Sequence, residues 1–385
     1  MRKRNRFKAL IVICVVLFIS IMTTLHAQES DTTDTTSLSL NRVKDDSIIV
    51  QDGPYVFWIE NHAVVQYVCG DEAITRRYDV RDSLNIQGLC GDSSKTLSIS
   101  SSLPAVEPDT FVGATKICAI SDIHGNFDQM IKLLQGNGVV DDHLRWRWGD
   151  GHLVIVGDIF DRGPQMTEAL WFIHQLEKEA LKAGGKVHFV LGNHEIMVLR
   201  GDERYVNKKY KEVSRKLRIK IQDLYGPETE LGRWLRAKNV FIKINDILFV
   251  HGGISPDLIK HGYSIQSINR KFRNSLDARD YTIRFDEELE LLYRYKGPVW
   301  YRGYIHAWKG LPRANEEEVA SVLDFYKARA VVIGHTIINE ISSYYSGRVF
   351  AIETGIHEGA KGEALIWEGD HFYRADIHGQ LQLLK

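Results

Sequence analysis

A chain of 385 residues with 44% hydrophobic residues is ordinary for a globular protein, and its length suggests one large catalytic domain plus a smaller attachment. Lysine and arginine total 49 against 50 aspartate and glutamate, a formal charge of -1. That balance excludes an overall basic field for nucleic acid.

Residues 1–8 are strongly cationic, residues 9–22 are apolar, and a polar segment follows Ala27. The apolar run is short for a spanning helix, so residues 1–27 are expected to be a signal peptide that sends the mature chain to the periplasm. An uncleaved membrane anchor is the alternative. Cys14, with Val and Ile around it, does not read as a lipid-attachment site. Residues 28–46, rich in Ser, Thr and Asp, are expected to form a flexible tether.

From 47 to 102 short β-type runs alternate with turn residues such as Asp52-Gly53-Pro54, Glu60-Asn61 and Gly70-Asp71. A small antiparallel β domain is expected here, packed on the main domain and without catalytic residues. In an oxidising compartment Cys69 and Cys90 could pair, although sequence does not supply connectivity, and Cys118 reads as a small core residue. Residues 101–115, with Pro104 and Pro108, are expected to be a linker. The catalytic domain should span 116–375.

That domain opens with the apolar strand Ile117-Cys118-Ala119-Ile120, which ends in Ser121-Asp122-Ile123-His124-Gly125. A helix is expected over 127–134. The run 152–156 leads into Gly157-Asp158-Ile159-Phe160-Asp161-Arg162-Gly163, with a long amphipathic helix expected over 165–183. A third strand, 186–191, runs into Gly192-Asn193-His194-Glu195, and His188 within it reads as a packed histidine rather than a ligand. Later strands end in His251-Gly252-Gly253 and Gly334-His335-Thr336. A helix is expected over 316–328, and the remaining C-terminal segment reads as strands.

Asp and Gly cluster in any turn, so one such loop means little. Hydrophobic packing does not explain why five strands end in Asp, His or Asn beside Gly. A dinuclear metal site does. The loops present Asp122, His124, Asp158, Asn193, His251 and His335, an oxygen and imidazole set without thiolate that suits manganese, iron or zinc, with Asp158 placed to bridge two ions. One carboxylate and one guanidinium on the 157–163 loop suggest a metal beside a phosphate.

The ordered motifs Asp-x-His-Gly, Gly-Asp-x-x-Asp-Arg-Gly, Gly-Asn-His-Glu, His-Gly-Gly and Gly-His-Thr resemble the calcineurin-like metallophosphoesterases, in their phosphoprotein phosphatase branch. The continuation 191–206 and Val299-Trp300-Tyr301-Arg302-Gly303 resemble the bacterial Shewanella-like protein phosphatases. Ser121 departs from the Gly usual before the first Asp, while the ligand spacing is kept.

The resemblance implies an α/β metallophosphoesterase sandwich of two mixed sheets flanked by helices, with the site at the strand ends. It implies two divalent ions, manganese foremost with iron or zinc as alternatives. Asp122, His124 and Asp158 would hold the first, and Asp158, Asn193, His251 and His335 the second. His194 would be the proton donor to the leaving oxygen, oriented by Asp161. Arg162 and Arg302 would bind the phosphoryl group, and Glu195 would support its neighbours. The implied activity is dephosphorylation of phosphotyrosine, or of phosphoserine and phosphothreonine, in protein or peptide substrates by direct attack of a metal-bound hydroxide. No cysteine sits in a phosphate-binding loop, which fits that route over a covalent one. A nucleotide or diadenosine polyphosphate hydrolase of the same fold is the first alternative, against which Glu195 counts, since those relatives usually carry Asp there. A non-catalytic surface binding protein is the second. The inserts at about 200–238 and 260–315 are expected to roof the site and choose the substrate.

Overall fold

Alternating apolar and polar residues near the N-terminus form an antiparallel three-stranded sheet of β1 (Gln51–Ile59), β2 (His62–Cys69) and β3 (Glu72–Asp79). The computed structural model describes residues 49–79, 83–88, 90 and 96–385; the expected signal segment, Cys14 and the tether lie outside the described residues. Asp52-Gly53-Pro54, expected as a turn, lies inside β1, where the register against β2 shifts between Asp52 and Tyr55. The Asp52 carboxylate accepts bonds from Gly53 N and Tyr55 Oη, each 2.8 Å, so the local turn chemistry is absorbed as a bulge.

A separate hairpin follows, β4 (Ser83–Gln87) paired with β5 (Thr96–Ser100). A disulfide joins Cys69 to Cys90 with Cα atoms 5.6 Å apart, tying the end of β2 to the segment after β4. Cys118 is free and fully buried. The N-terminal sheet packs on later parts of the chain: Trp58 Nε1 donates to Glu230 Oε2 at 2.8 Å, and Trp171 Nε1 donates to the Pro54 carbonyl at 2.9 Å.

Next in order are β6 (Thr110–Phe111), β7 (Lys116–Ile120), β8 (His152–Val156), β9 (Lys186–Val190), β10 (Phe241–Ile244), β11 (Ile247–Val250), β12 (Ala330–Ile333), β13 (Ser342–Tyr344), β14 (Val349–Ala351), β15 (Ala364–Glu368), β16 (His371–Ala375) and β17 (Leu381–Leu383). They make two six-stranded mixed sheets, ordered β13-β14-β12-β11-β10-β6 and β17-β16-β15-β7-β8-β9. Two of these strands lie outside the expected bounds: β6 forms within 101–115, and β17 continues its sheet past residue 375.

Strands β7, β8 and β9 are mutually parallel, as are β11, β12 and β14, so in each set the chain leaves every strand at the same edge. Alternation fixes the layers. Ala119, Val154, Val156 and Val190 face Phe249, Val332 and Phe350 between the sheets, while Cys118, Ile120, Leu153 and Ile155 join the apolar faces of the helices Phe127–Gly136 and Met166–Lys182. Helices Ile265–Ser275 and Glu316–Tyr326 cover the other sheet. His188 is buried, 3.0 Å from His152 Nδ1 and edge-on to Phe111, as a packed histidine.

Candidate metal and phosphoryl centre

Each strand of the parallel sets delivers one loop to the shared edge, and the side chains converge there. Asp158 is their centre. Its carboxylate lies 3.1 Å from His251 Nε2, 3.7 Å from His124 Nε2 and 3.9 Å from His194 Nε2. His251 Nε2 is also 3.0 Å from Asn193 Oδ1, and His124 Nε2 is 3.9 Å from Asp122 Oδ1. Two groups have ligand atoms within 4.8 Å of one another: His124, Asp158 and His194, and Asp158, His251 and His335.

The donor set fits a cation. His124 Nδ1 bonds to the Phe160 carbonyl at 2.7 Å and His251 Nδ1 to the Val156 carbonyl at 2.8 Å. Both Nδ1 atoms therefore carry the hydrogen, and both Nε2 lone pairs point at the Asp158 carboxylate. Such a pair is relieved by positive charge between its members, either a bound cation or a proton on the imidazole. Buried His335 Nε2 has no partner at all among the described residues. Without a cation a proton takes that place on His251: burial would lower it, but Asp158 and then Asp122 push it up to about 9. Burial would raise Asp158, yet His251 and His194 hold it well below the usual carboxylate range. Asp122 is raised, by burial foremost.

The backbone is bent to make this possible. Asp122, His124, Asp158, Asp161, Arg162 and His335 all adopt positive φ, between 48° and 71°. Such conformations cost about 1–2 kcal/mol per residue, and they collect at sites where the surroundings enforce them. Gly192 and Gly334 are required by close approach, since a Cβ on the first would overlap the Asp158 carboxylate and on the second the Asp122 carboxylate and Ser121 Oγ.

Beside the metal-competent groups, His194 Nδ1 lies 2.6 Å from Asp161 Oδ2. Burial would lower His194, but Asp158 and Asp161 raise it. Asp161 is fully buried and lies behind the cavity, as does His251. Arg162 is exposed, its guanidinium 5.8 Å from the Tyr205 ring. Arg302 Nη1 donates to the His335 carbonyl at 2.6 Å and to Thr336 Oγ1 at 3.2 Å. Glu195 offers no atom to the cavity. Its two oxygens accept from the backbone N–H of Ile159 at 2.7 Å, Phe160 at 3.1 Å, Asp158 at 2.9 Å and Gly192 at 2.7 Å.

A cavity of about 630 Å³ is lined by Asp122, His124, Asp158, Arg162, Asn193, His194, Arg302 and His335. The structure adds residues that sequence reasoning missed. Glu353 is buried beside Asp122, raised well above its usual range by burial and then by that neighbour. His357 stacks edge-on against His124 with ring centroids 4.7 Å apart, and neither ring nitrogen has a hydrogen-bond partner. Tyr205, Trp300 and Trp308 complete an aromatic rim. Glu353 had a signal, because it follows strand β14 and precedes Gly355, the same build as the other loops. Tyr205 and Trp300 lie within the stretches that carried the family resemblance, whereas His357 and Trp308 had no signal.

Comparison with known proteins agrees with this geometry. Residues 115–339 match the family described as calcineurin-like phosphoesterase. An uncharacterised protein of Schizosaccharomyces pombe is 34% identical over 66% of this chain and 76% of its own length. Shewanella-like protein phosphatase 1 of Plasmodium berghei is 31% identical over 63% of this chain and 67% of its own. The crystal structure of a cold-active protein-tyrosine phosphatase from a psychrophilic Shewanella superposes with a TM-score of 0.81 at 36% identity, covering 87% of this chain and 99% of that one. By the family match over 115–339 and the shared fold, the chain belongs to the calcineurin-like phosphoesterase family, among relatives that include the Shewanella-like protein phosphatases.

Proposed function

We propose that this enzyme is a metal-dependent protein phosphatase of the periplasm, acting on phosphotyrosine ahead of phosphoserine or phosphothreonine. One observation carries the reading: the His194–Asp161 pair, 2.6 Å apart, stands beside two His and carboxylate groups that share Asp158 and two arginines that face the same cavity. The preference for tyrosine rests on similarity to the Shewanella enzyme. The periplasmic assignment draws support from the Cys69–Cys90 disulfide, which suits an oxidising compartment.

Asp122, His124 and Asp158 would hold one divalent cation, manganese foremost, and Asp158, Asn193, His251 and His335 a second. When bound, such ions supply positive charge for the phosphoryl oxygens and lower the pKa of water. The rest falls to the chain. Arg162 and Arg302 bind the non-bridging oxygens, a forked contact that lysine makes poorly. His194 gives its Nε2 proton to the departing oxygen. Asp161, held on Nδ1, fixes the tautomer and balances the charge of the imidazolium before transfer.

The test is hydrolysis of matched phosphotyrosine, phosphoserine and phosphothreonine peptides and a nucleotide panel, with metal content measured alongside. Wild type is expected to turn over phosphopeptides with Mn²⁺ and to stop on chelation. Asp158→Asn should lose both metal and activity. His194→Ala should keep most of its metal and lose on the order of 10²–10⁴ in kcat. Turnover of nucleotides alone would move the substrate to that class, and no turnover with any metal would favour a binding protein. Fractionation of cells checks the compartment: a mature chain starting near Gln28 in the periplasm is expected, and a full-length chain in the membrane fraction would assign an anchor.

A further inference from the structure

The active cavity continues past its rim. Arg204, Tyr293, Arg294 and Trp300 line it and also line a second cavity of about 620 Å³, nearly equal to the first. This second space has an apolar part, with Ile196, Met197 and Ile283, and five guanidinium groups against the four carboxylates of Asp202, Asp223, Asp277 and Asp280.

Most of those guanidinium groups are already engaged. Arg204 forks onto Asp202, with Nη2 to Oδ2 at 2.6 Å. Arg236 pairs with Asp277 at 2.5 Å, and Arg200 donates to the Ala278 carbonyl at 2.6 Å. Two are held less closely. Arg294 makes only a long ion pair, 3.8 Å, with Asp280, which itself pairs with Arg284 at 2.7 Å. Arg279 is exposed, and among the described residues its guanidinium makes no hydrogen bond or ion pair, although its carbonyl accepts from Thr282 N at 3.0 Å. Arg294 stands where the cavities join and Arg279 lies only in the second, so together they mark a cationic path away from the phosphoryl centre.

We propose that the second cavity binds the part of a phosphoprotein substrate flanking the phosphorylated residue, and that Arg279 and Arg294 select flanks carrying Asp or Glu. The proposal rests on the protein-phosphatase reading above. The phosphorylated side chain enters the first cavity and leaves the rest of a polypeptide to lie in the space that opens from it. Apolar surface there accommodates side-chain stems and backbone. A guanidinium fork without a carboxylate of its own matches the carboxylate of a substrate in planar geometry. The chain as a whole carries a formal charge of only -1, so selection must be local rather than a field of the whole molecule.

The experiment uses the metal-loaded full chain and phosphopeptides that differ only in having Asp and Glu or Ala beside the phosphorylated residue, with p-nitrophenyl phosphate as a flank-free control. Acidic flanks should raise kcat/KM about three- to tenfold, chiefly through KM, and the advantage should shrink as salt is added. Arg279→Glu should abolish the advantage, Asp280→Asn should enlarge it, and both should leave p-nitrophenyl phosphate turnover unchanged. Arg279→Met, which keeps the apolar stem, guards against a folding defect, and it should lose the advantage at unchanged Tm. Equal rates for acidic and neutral flanks in wild type, or an advantage that survives Arg279→Glu, would overturn the proposal and leave the protein-phosphatase reading standing. Hydrolysis of the control with no phosphopeptide turnover would sink both. A dinucleotide polyphosphate hydrolysed faster than any peptide, and weakened by Arg279→Glu, would assign the cavity to a nucleotide instead.

Discussion

Glu195 is the residue on which the catalytic loop hangs. Its carboxylate accepts from four backbone N–H groups, three of them in the stretch 158–160. Burial and Asp158 push it up to about 7, while those N–H groups favour the charged form. Glu195→Gln would turn an amide NH₂ toward two N–H donors and leave them buried without an acceptor. A loss of about 2–3 kcal/mol in urea unfolding is expected, with a fall in kcat because Asp158 to Phe160 shift. Unchanged stability would mean that the four bonds do not hold the loop. Asp161→Asn makes a different prediction. Asn can still accept from His194 Nδ1, so the fold should persist, while the imidazolium loses its counter-charge. Activity should drop most for esters with poor leaving groups and least for p-nitrophenyl phosphate, which a series of aryl phosphates would reveal. Asp122, His124, Asp158, Asn193, His251 and His335 stood out because each lies in a glycine-containing loop at the end of an apolar strand, whereas Asp161 and His194 came from the family resemblance alone. Glu353 obeyed that pattern and was passed over, whereas His357 sits in the turn Ile356–Glu358, where nothing local marks it.

Among the elements, the helix Lys208–Leu217 links the N-terminal sheet to the loop that carries Arg162. Its cap, Asn207, accepts from Lys209 N at 2.9 Å and donates Nδ2 to the Arg162 carbonyl at 2.7 Å. One turn on, Tyr210 Oη accepts from Met166 N at 2.6 Å and Thr167 N at 3.2 Å and donates to the Pro164 carbonyl at 2.9 Å. Tyr210→Phe would strand those buried groups. It should cost about 2 kcal/mol of stability and raise KM through a looser Arg162, and a thermal melt beside steady-state kinetics checks both. On the sheet side, burial pushes Asp52 up from the ordinary 3.8 to about 6, with Lys209 pulling it down. The folded chain then holds this proton more tightly than the unfolded chain does. Its contribution to stability is greatest below pH 4 and declines as pH rises to 6, by about 3 kcal/mol in total. Asp52→Asn should flatten that slope in unfolding measured from pH 4 to 8. The strands and the long helices were readable from periodicity, but 200–238 gave only a polar helical texture and 260–315 a charged, aromatic-rich one. Their short helices are fixed by tertiary bonds such as those of Tyr210, which no local pattern announces.

For the whole molecule, the disulfide and the two sheets set the terms. Cys69 and Cys90 are 21 residues apart, and opening a loop of that length costs about 3 kcal/mol in the chain-entropy account. Cys69→Ser should lower Tm measurably while the folded fraction keeps its activity; an unchanged Tm would show that the hairpin and sheet need no staple. The sandwich itself was expected from the family resemblance that the loop motifs carry, while β6 and β17, two and three residues long, were not picked out. Val154 and Val156 on one sheet and Phe249, Val332 and Phe350 on the other fill the layer between the strands that end in Asp158, His251 and His335. That layer works as a spacer gauge. Drift in these apolar residues is limited by chemistry before it is limited by folding: a change of one methylene that a core would absorb for about 1 kcal/mol alters the gap across which Asp158 meets His251. Natural variation should therefore tolerate fewer sizes in this layer than on the helix-covered faces, where volume alone has to be kept.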